Sequence, residues 1–218
     1  MRRAGWVALV LGVAGTAVAG PPAICWRIEI GDAKSLPWGG KDSFAKDARY
    51  DARRVVEDTL ALLDDSASPL VRMETLRRAT IYLEESQAGR DALLRALMTR
   101  VLDADVAKKP SALAWFDAGY AQGCFSQFRE QGANGYAWVR RAAEISGGDA
   151  EVEYGCCMLS LMGQRHDFKG HLDKVEAGAA KNPLLAKNLE SLKQLYPPVL
   201  KYLEEKEKGM GSGKGKRE

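Results

Sequence analysis

Apolar residues recur at intervals of three and four through most of this chain. Val55, Leu60 and Leu63 are followed by Leu70, Met73, Leu76, Thr80 and Leu83, then by Leu93, Leu94, Leu97 and Val101. That is the period of helices with one buried stripe. Arg53, Arg54, Arg72, Arg77, Arg78 and Glu84 fall between the stripes, so they are expected on solvated faces. The pattern predicts helices over 44–64, 69–86, 89–103, 111–128, 134–146, 149–162, 168–180, 183–195 and 197–207. Their starts are marked by Ser68-Pro69, Pro110-Ser111, Gly148-Asp149 and Asn182-Pro183, each pairing a capping side chain with a residue suited to a first turn. Gly89, Gly132 to Gly135, Gly147-Gly148 and Gly163 to Gly170 read as breaks between helices.

A longer period is superimposed. Ala114, Ala150 and Ala186 fall 36 residues apart, as do Ala107, Ala143 and Ala179 one helix earlier. Two helices in 34 to about 45 residues is the interval of stacked helical hairpins, in which neighbouring units complete one another's core. Gly119 and Gly123 on one helix, and Gly155 on its equivalent, sit where a neighbouring backbone needs room. Glycine inside a helix costs about 1 kcal/mol relative to alanine, so its recurrence there implies packing.

The N-terminal part differs. Ile24, Trp26, Ile28 and Ile30 alternate with Cys25, Arg27 and Glu29, the period of an extended segment with one apolar face. No second run is available to pair with it. Residues 20–43 are therefore expected to form an extended arm that buries its face on the first helices, pinned by Trp38, or else to offer an edge for strand addition by a partner.

The segment Ala114-Trp115-Phe116-Asp117-Ala118-Gly119-Tyr120-Ala121-Gln122-Gly123, followed by Tyr136-Ala137-Trp138-Val139-Arg140-Arg141-Ala142-Ala143, resembles a Sel1-like repeat of the tetratricopeptide class. It departs from that pattern at Ala118, where leucine is usual, and at Cys156 after Gly155, where tyrosine is usual. The likeness is good over 112–163 and fainter over 171–195. It implies an all-α fold, a short right-handed solenoid of three to four hairpins over 44–207, preceded by the arm. It also implies protein or peptide binding on a concave face, for which Trp115, Tyr120, Tyr136, Trp138 and Tyr154 are the aromatic candidates; Tyr120 and Trp138 match positions that are core in that family. The chain as a whole, including Ile28 to Gly39, is similar to exported bacterial proteins without an assigned function.

Composition refines this picture. Residues 1–19 read as a signal peptide: Arg2 and Arg3, a short apolar run from Trp6 to Val18, and the small-residue site Ala17-Val18-Ala19. The run is broken by glycine and is too short to span a membrane, so no integral segment is expected after cleavage. This places the protein in the periplasm or outside a bacterial cell. Of the net charge of +3, the leader contributes +2 and the tail from Lys206 another +3, leaving the body near −2, which does not favour nucleic acid as a partner. Residues 208–218, lysines interleaved with glycines, read as a disordered basic tail.

Candidate chemistry is sparse. In an oxidising compartment Cys25, Cys124, Cys156 and Cys157 are disulfide candidates, with Cys124 to one of the vicinal pair and Cys25 to the other favoured on geometry. Cys156, Cys157, Met158, Met162, His166 and His171 offer thiolate, thioether and imidazole, the ligand set of a soft metal such as copper or of zinc. Helically spaced methionines are more often core. There is no G-x-S-x-G, phosphate loop or H-E-x-x-H, and only two histidines are present. No cofactor and no enzymatic activity are therefore expected. Asp64-Asp65, Glu84-Glu85, Arg53-Arg54, Arg77-Arg78 and Arg140-Arg141 read as solvated charges.

Overall fold

The computed structural model describes residues 23–40, 42–128, 135–162, 167–195, 197 and 201. The leader, His166, the tail and nearly all of the helix expected at 197–207 lie outside those residues. Within them the chain is all-helical. The helices are α1 Val55–Leu62, α2 Pro69–Tyr82, α3 Gln87–Val106, α4 Ala112–Phe125, α5 Tyr136–Ile145, α6 Ala150–Ser160, α7 Phe168–Ala179 and α8 Pro183–Leu195. No β-strand occurs among the described residues; the one strand-like pairing is an isolated bridge between Trp38 and Lys46. No described helix is long and apolar enough to cross a membrane.

Two boundaries depart from the sequence reading for local reasons. Residues 44–51 are not helical, because acidic side chains capture the backbone first: Asp42 accepts from the N–H of Phe44 and Asp47 from that of Arg49, while Asp51, accepting from the Arg53 N–H, caps the tight turn Ala52–Arg54 that leads into α1. Gly89 does not break a helix but lies in the first turn of α3, where its N–H donates to the Ser86 hydroxyl that caps the helix.

α4 packs along α5 and α6 along α7, while α2, α4 and α6 touch one another. Glycine sets two of these approaches. A Cβ on Gly119 would lie 2.7 Å from the backbone nitrogen of Val139, so α5 crosses α4 at backbone distance. Gly155 admits a side chain instead: a Cβ there would lie 2.6 Å from the ring of Phe116. Gly135 starts α5 at φ +71, a left-handed conformation glycine adopts without strain, and its carbonyl accepts from Trp138 and Val139.

The largest departure is α2. Every residue from Leu70 to Ile81 is buried, including Arg72, Glu74, Arg77 and Arg78. The expected apolar stripe is present, but the opposite face is covered by the N-terminal arm. Glu74 Oε1 accepts from Arg77 Nη2 at 2.8 Å and Arg78 Nε at 2.7 Å; Oε2 accepts from Arg77 Nε at 2.7 Å and the Ile28 N–H at 3.0 Å. The arginines then reach the arm's carbonyls: Arg77 Nη1 donates to Ile24 and Ser43, and Arg78 Nη1 to Leu36. Trp38 lies over both guanidinium groups, 5.2 and 5.5 Å from its ring centre, and so covers the cluster.

The arm is not a strand. Ala23–Cys25 forms a single tight turn that buries Ile24, and the chain beyond it is irregular and packs on the helices with Ile28, Ile30 and Leu36 buried. At α8, Asn188 accepts from the Glu29 N–H at 2.9 Å and donates to its carbonyl at 2.8 Å, taking both main-chain groups that a strand neighbour would use. The edge offered for strand addition is thus occupied at Glu29 by the protein itself.

Removing one member of a buried ion cluster strands the others without solvent. Glu74→Gln is expected to lower the unfolding free energy by about 3–5 kcal/mol in urea titration. A loss below about 1 kcal/mol, the range of exposed pairs, would show that the arm does not depend on this carboxylate.

Candidate functional site

Two of the residues singled out for chemistry, Cys156 and His171, come together where α5, α6 and α7 meet. The Asp149 side chain caps α6 by accepting from the N–H groups of Glu151 and Val152, which sets the phase of the helix. Glu153 and Cys156, three residues apart, then share the face turned to α7. His171 and Lys174 occupy the matching face of α7.

Glu153 is fully buried and His171 nearly so. His171 Nδ1 lies 2.5 Å from Glu153 Oε2, and Lys174 Nζ donates to Oε1 at 2.5 Å. Burial pushes the Glu153 carboxyl up, but hydrogen bonds from His171 and Lys174 outweigh it and hold the group below its ordinary value. An ionised carboxylate accepts only, so Nδ1 carries the proton in that contact. On the other side of the ring, Nε2 lies 2.7 Å from the Tyr136 hydroxyl, which also reaches Asp167 Oδ2 at 2.8 Å. Burial and the Asp167 carboxylate push the Tyr136 phenol upward, so it remains protonated. A continuous relay therefore runs Lys174–Glu153–His171–Tyr136–Asp167 and ties three helices together.

Cys156 stands beside this relay. Its Sγ, a Glu153 carboxylate oxygen and a ring nitrogen of His171 lie within 4.8 Å of one another. Burial first, and the Glu153 charge second, push the thiol well above its ordinary value. It is a protonated thiol rather than a primed nucleophile. A cavity of about 210 Å³ opens onto Glu153, His171 and Lys174, with Gly148 and Arg140 on its wall.

Cys156 and His171 thus come together as ligand candidates, but the rest of the expected metal set does not join them. Cys157 points to the Phe168 carbonyl, its Sγ 4.0 Å from the oxygen. Met158 is buried in the core, and Met162 lies beyond the end of α6 and packs half-buried against the core. The helix stops at Ser160, so Met162 does not continue the helical face of Met158; His166 lies outside the described residues. Glu153 was not anticipated. The signal was Glu153 and Cys156, with His171 and Lys174, each three apart on consecutive helices.

The expected disulfides are absent: Cys25, Cys124, Cys156 and Cys157 are free thiols. Cys124 and Cys156 occupy equivalent helices but face different neighbours. Cys124 is turned to α2, where burial pushes it up to about 12 against the opposing pull of Arg77. Cys156 is turned to α7.

Among the aromatic candidates, Tyr120, Tyr136 and Tyr154 are core residues. Tyr120 stacks on Phe116 with centroids 5.9 Å apart, and the Tyr154 hydroxyl donates to the Asn188 carbonyl. Trp115 and Trp138 are half-buried and keep part of their surface in solvent.

Because the Glu153 carboxyl is held below its ordinary value of 4.5, its contribution to stability is present above that pH and is lost as pH falls through the folded value. Glu153→Gln is expected to destabilise the protein at neutral pH and to flatten this acid limb. Thermal melts across the acid range check it, and an unchanged limb would show that Glu153 does not titrate differently on folding. No protein-family model, curated protein or solved structure matches the chain.

Proposed function

We propose that this chain is an exported, non-enzymatic helical-repeat protein, a short right-handed solenoid, that binds another protein or a peptide in the bacterial envelope. The observation that carries this reading is an apolar stripe the fold leaves open. Leu102 is 58% and Val106 83% exposed, four residues apart on α3, with half-buried Met98 one turn earlier. Exposed apolar side chains aligned on one helix face favour a partner, whereas scattered ones do not. The polar groups of the α5–α7 relay, by contrast, are committed to one another. The partner reading also moves away from the aromatic set, since three of those residues are core and the α2 and α8 faces hold the chain's own arm.

A photo-activated cross-linker at position 106 is expected to trap a discrete partner in the envelope, and Leu102→Asp to abolish that adduct without changing the melting temperature. An adduct that survives Leu102→Asp, or none above an exposed control position such as Arg53, overturns the reading.

A second reading, copper or zinc binding, is favoured by the proximity of Glu153, Cys156 and His171. Sulfur, nitrogen and oxygen donors together suit zinc, provided the thiol loses its proton and Lys174 yields the carboxylate. One zinc retained per chain, lost in Cys156→Ser, is the expected outcome of elemental analysis on that reading; retention unchanged by the substitution would exclude these ligands.

A further inference from the structure

The outward face of α3 carries a run of side chains that matches its own reverse. Leu93, Leu97 and Val101 turn inward, where α3 packs on α1 and α4, and the opposite side is left to solvent. On that side Asp91, Arg95, Met98, Leu102, Asp105 and Lys109 follow one another at steps of four, three, four, three and four. Such steps keep to one seam of a helix, the a and d positions of a heptad. All six are exposed except Met98, which is half-buried. Lys109 lies just past the helix end and is held beside it by its N–H, which donates to the Ala104 carbonyl at 2.9 Å.

The steps read the same in both directions, and the chemistry is complementary when one copy is reversed. Laid antiparallel on a second α3, with the midpoint beside Thr99 and Arg100, the seam sets Asp91 against Lys109, Arg95 against Asp105, and Met98 against Leu102. Every charge meets its opposite and the apolar pairs lie together in the middle. A parallel copy in register would instead set each charge against its like. The flank agrees. Ala92, Thr99 and Val106, also exposed, bring Val106 onto Ala92 and Thr99 onto its own copy. Val106 is the most exposed large apolar side chain among the described residues, and this arrangement covers it.

The charges of the seam are uncommitted. Within the described residues the side chains of Arg95 and Asp105 make no ion pair or hydrogen bond, and Asp91 accepts only from Gln87 of its own helix. Arg90 and Arg100, off the seam, are by contrast held by the carbonyls of Leu83 and Glu84 and of Leu60 and Leu63.

We infer, on the reading that this stripe receives a protein partner, that the partner is a second copy of the chain, the two α3 helices packing antiparallel about a two-fold axis. Such a contact uses one surface twice, so a single self-complementary seam suffices. A helix of 20 residues is about 30 Å long, which makes this a small interface, and a dissociation constant on the order of micromolar is expected.

The test is sedimentation equilibrium on the protein as purified from the cell envelope, for wild type, Arg95→Glu and Asp105→Arg, the variants alone and mixed. Wild type is expected to dimerise. Each variant alone sets like charges against each other at two symmetric places and should lose at least about tenfold in dimer affinity. Mixed in equal amounts, the two variants should associate with wild-type affinity to within about threefold, because the two reversed positions then face each other and the two native ones do likewise. All should melt at the wild-type temperature, since neither side chain packs inside the chain. Cross-linking from position 106 separates self-association from the broader reading. A product of twice the chain mass, mapped near Ala92 of a second copy, supports the inference. A product with a different protein leaves partner binding standing and overturns self-association, and no product overturns both. A wild type that stays monomeric at about 1 mM, or folded variants that fail to associate on mixing, would also overturn the inference.

Discussion

The architecture hangs on the burial of Glu74 with Arg77 and Arg78. Three charges are withdrawn from water on one helix, and they are tolerable only because every lone pair and several N–H groups find a partner. Those partners are not on the helix alone: Ile24, Ile28, Leu36 and Ser43 of the arm supply a donor and three carbonyls. Arm and α2 therefore order together. An arm that left would expose four main-chain groups and strand a net positive charge against an apolar core. Trp38 closes the cluster from outside, giving the cations an aromatic face where water would otherwise enter.

With the arm fixed, the remaining polar clusters take on a common character. Asn188 reads the backbone of Glu29 as a strand would, and so links the last described helix to the first residues of the arm. The Lys174–Glu153–His171–Tyr136–Asp167 relay holds α5, α6 and α7 in one arrangement, its acceptors and donors spent on each other. Asp117 of α4, paired with Arg72, differs from both. It is the buried carboxylate whose second oxygen lacks a donor, and it borders a cavity instead of a packed interface.

Helix placement was legible because it depends on local terms. The periodic stripes, the caps at Ser111 and Asp149, and the proline starts of α2 and α8 act within a turn or two of themselves. The places where the reading failed were also local competitions: the Asx turns at Asp42 and Asp47 outbid the helix over 44–51 and left Asp51 to cap its start, and the Ser86 cap absorbed Gly89. The candidate site was half legible. Cys156 and His171 stood out by residue type, but Glu153 resembled any surface acid in α6, and the methionines were aligned on a helix that ends before Met162.

By itself the sequence determined that the described residues are all-helical, where most helices begin, which residues form the apolar stripes, and that the arm must lay an apolar face on helices for want of a second strand. Tertiary structure alone decided the fate of the polar faces. Arg53-Arg54, Arg77-Arg78 and Arg140-Arg141 are equivalent as dipeptides, yet only Arg77-Arg78 is buried, because the arm happens to cross α2 there. It likewise decided that Tyr120, Tyr136 and Tyr154 pack inward, that Cys124 and Cys156 face different neighbours, and that Asp117 stands beside a cavity. Periodicity reports which side of a helix is apolar, whereas the burial of a charge is set by partners supplied from distant parts of the chain, and no local pattern encodes them.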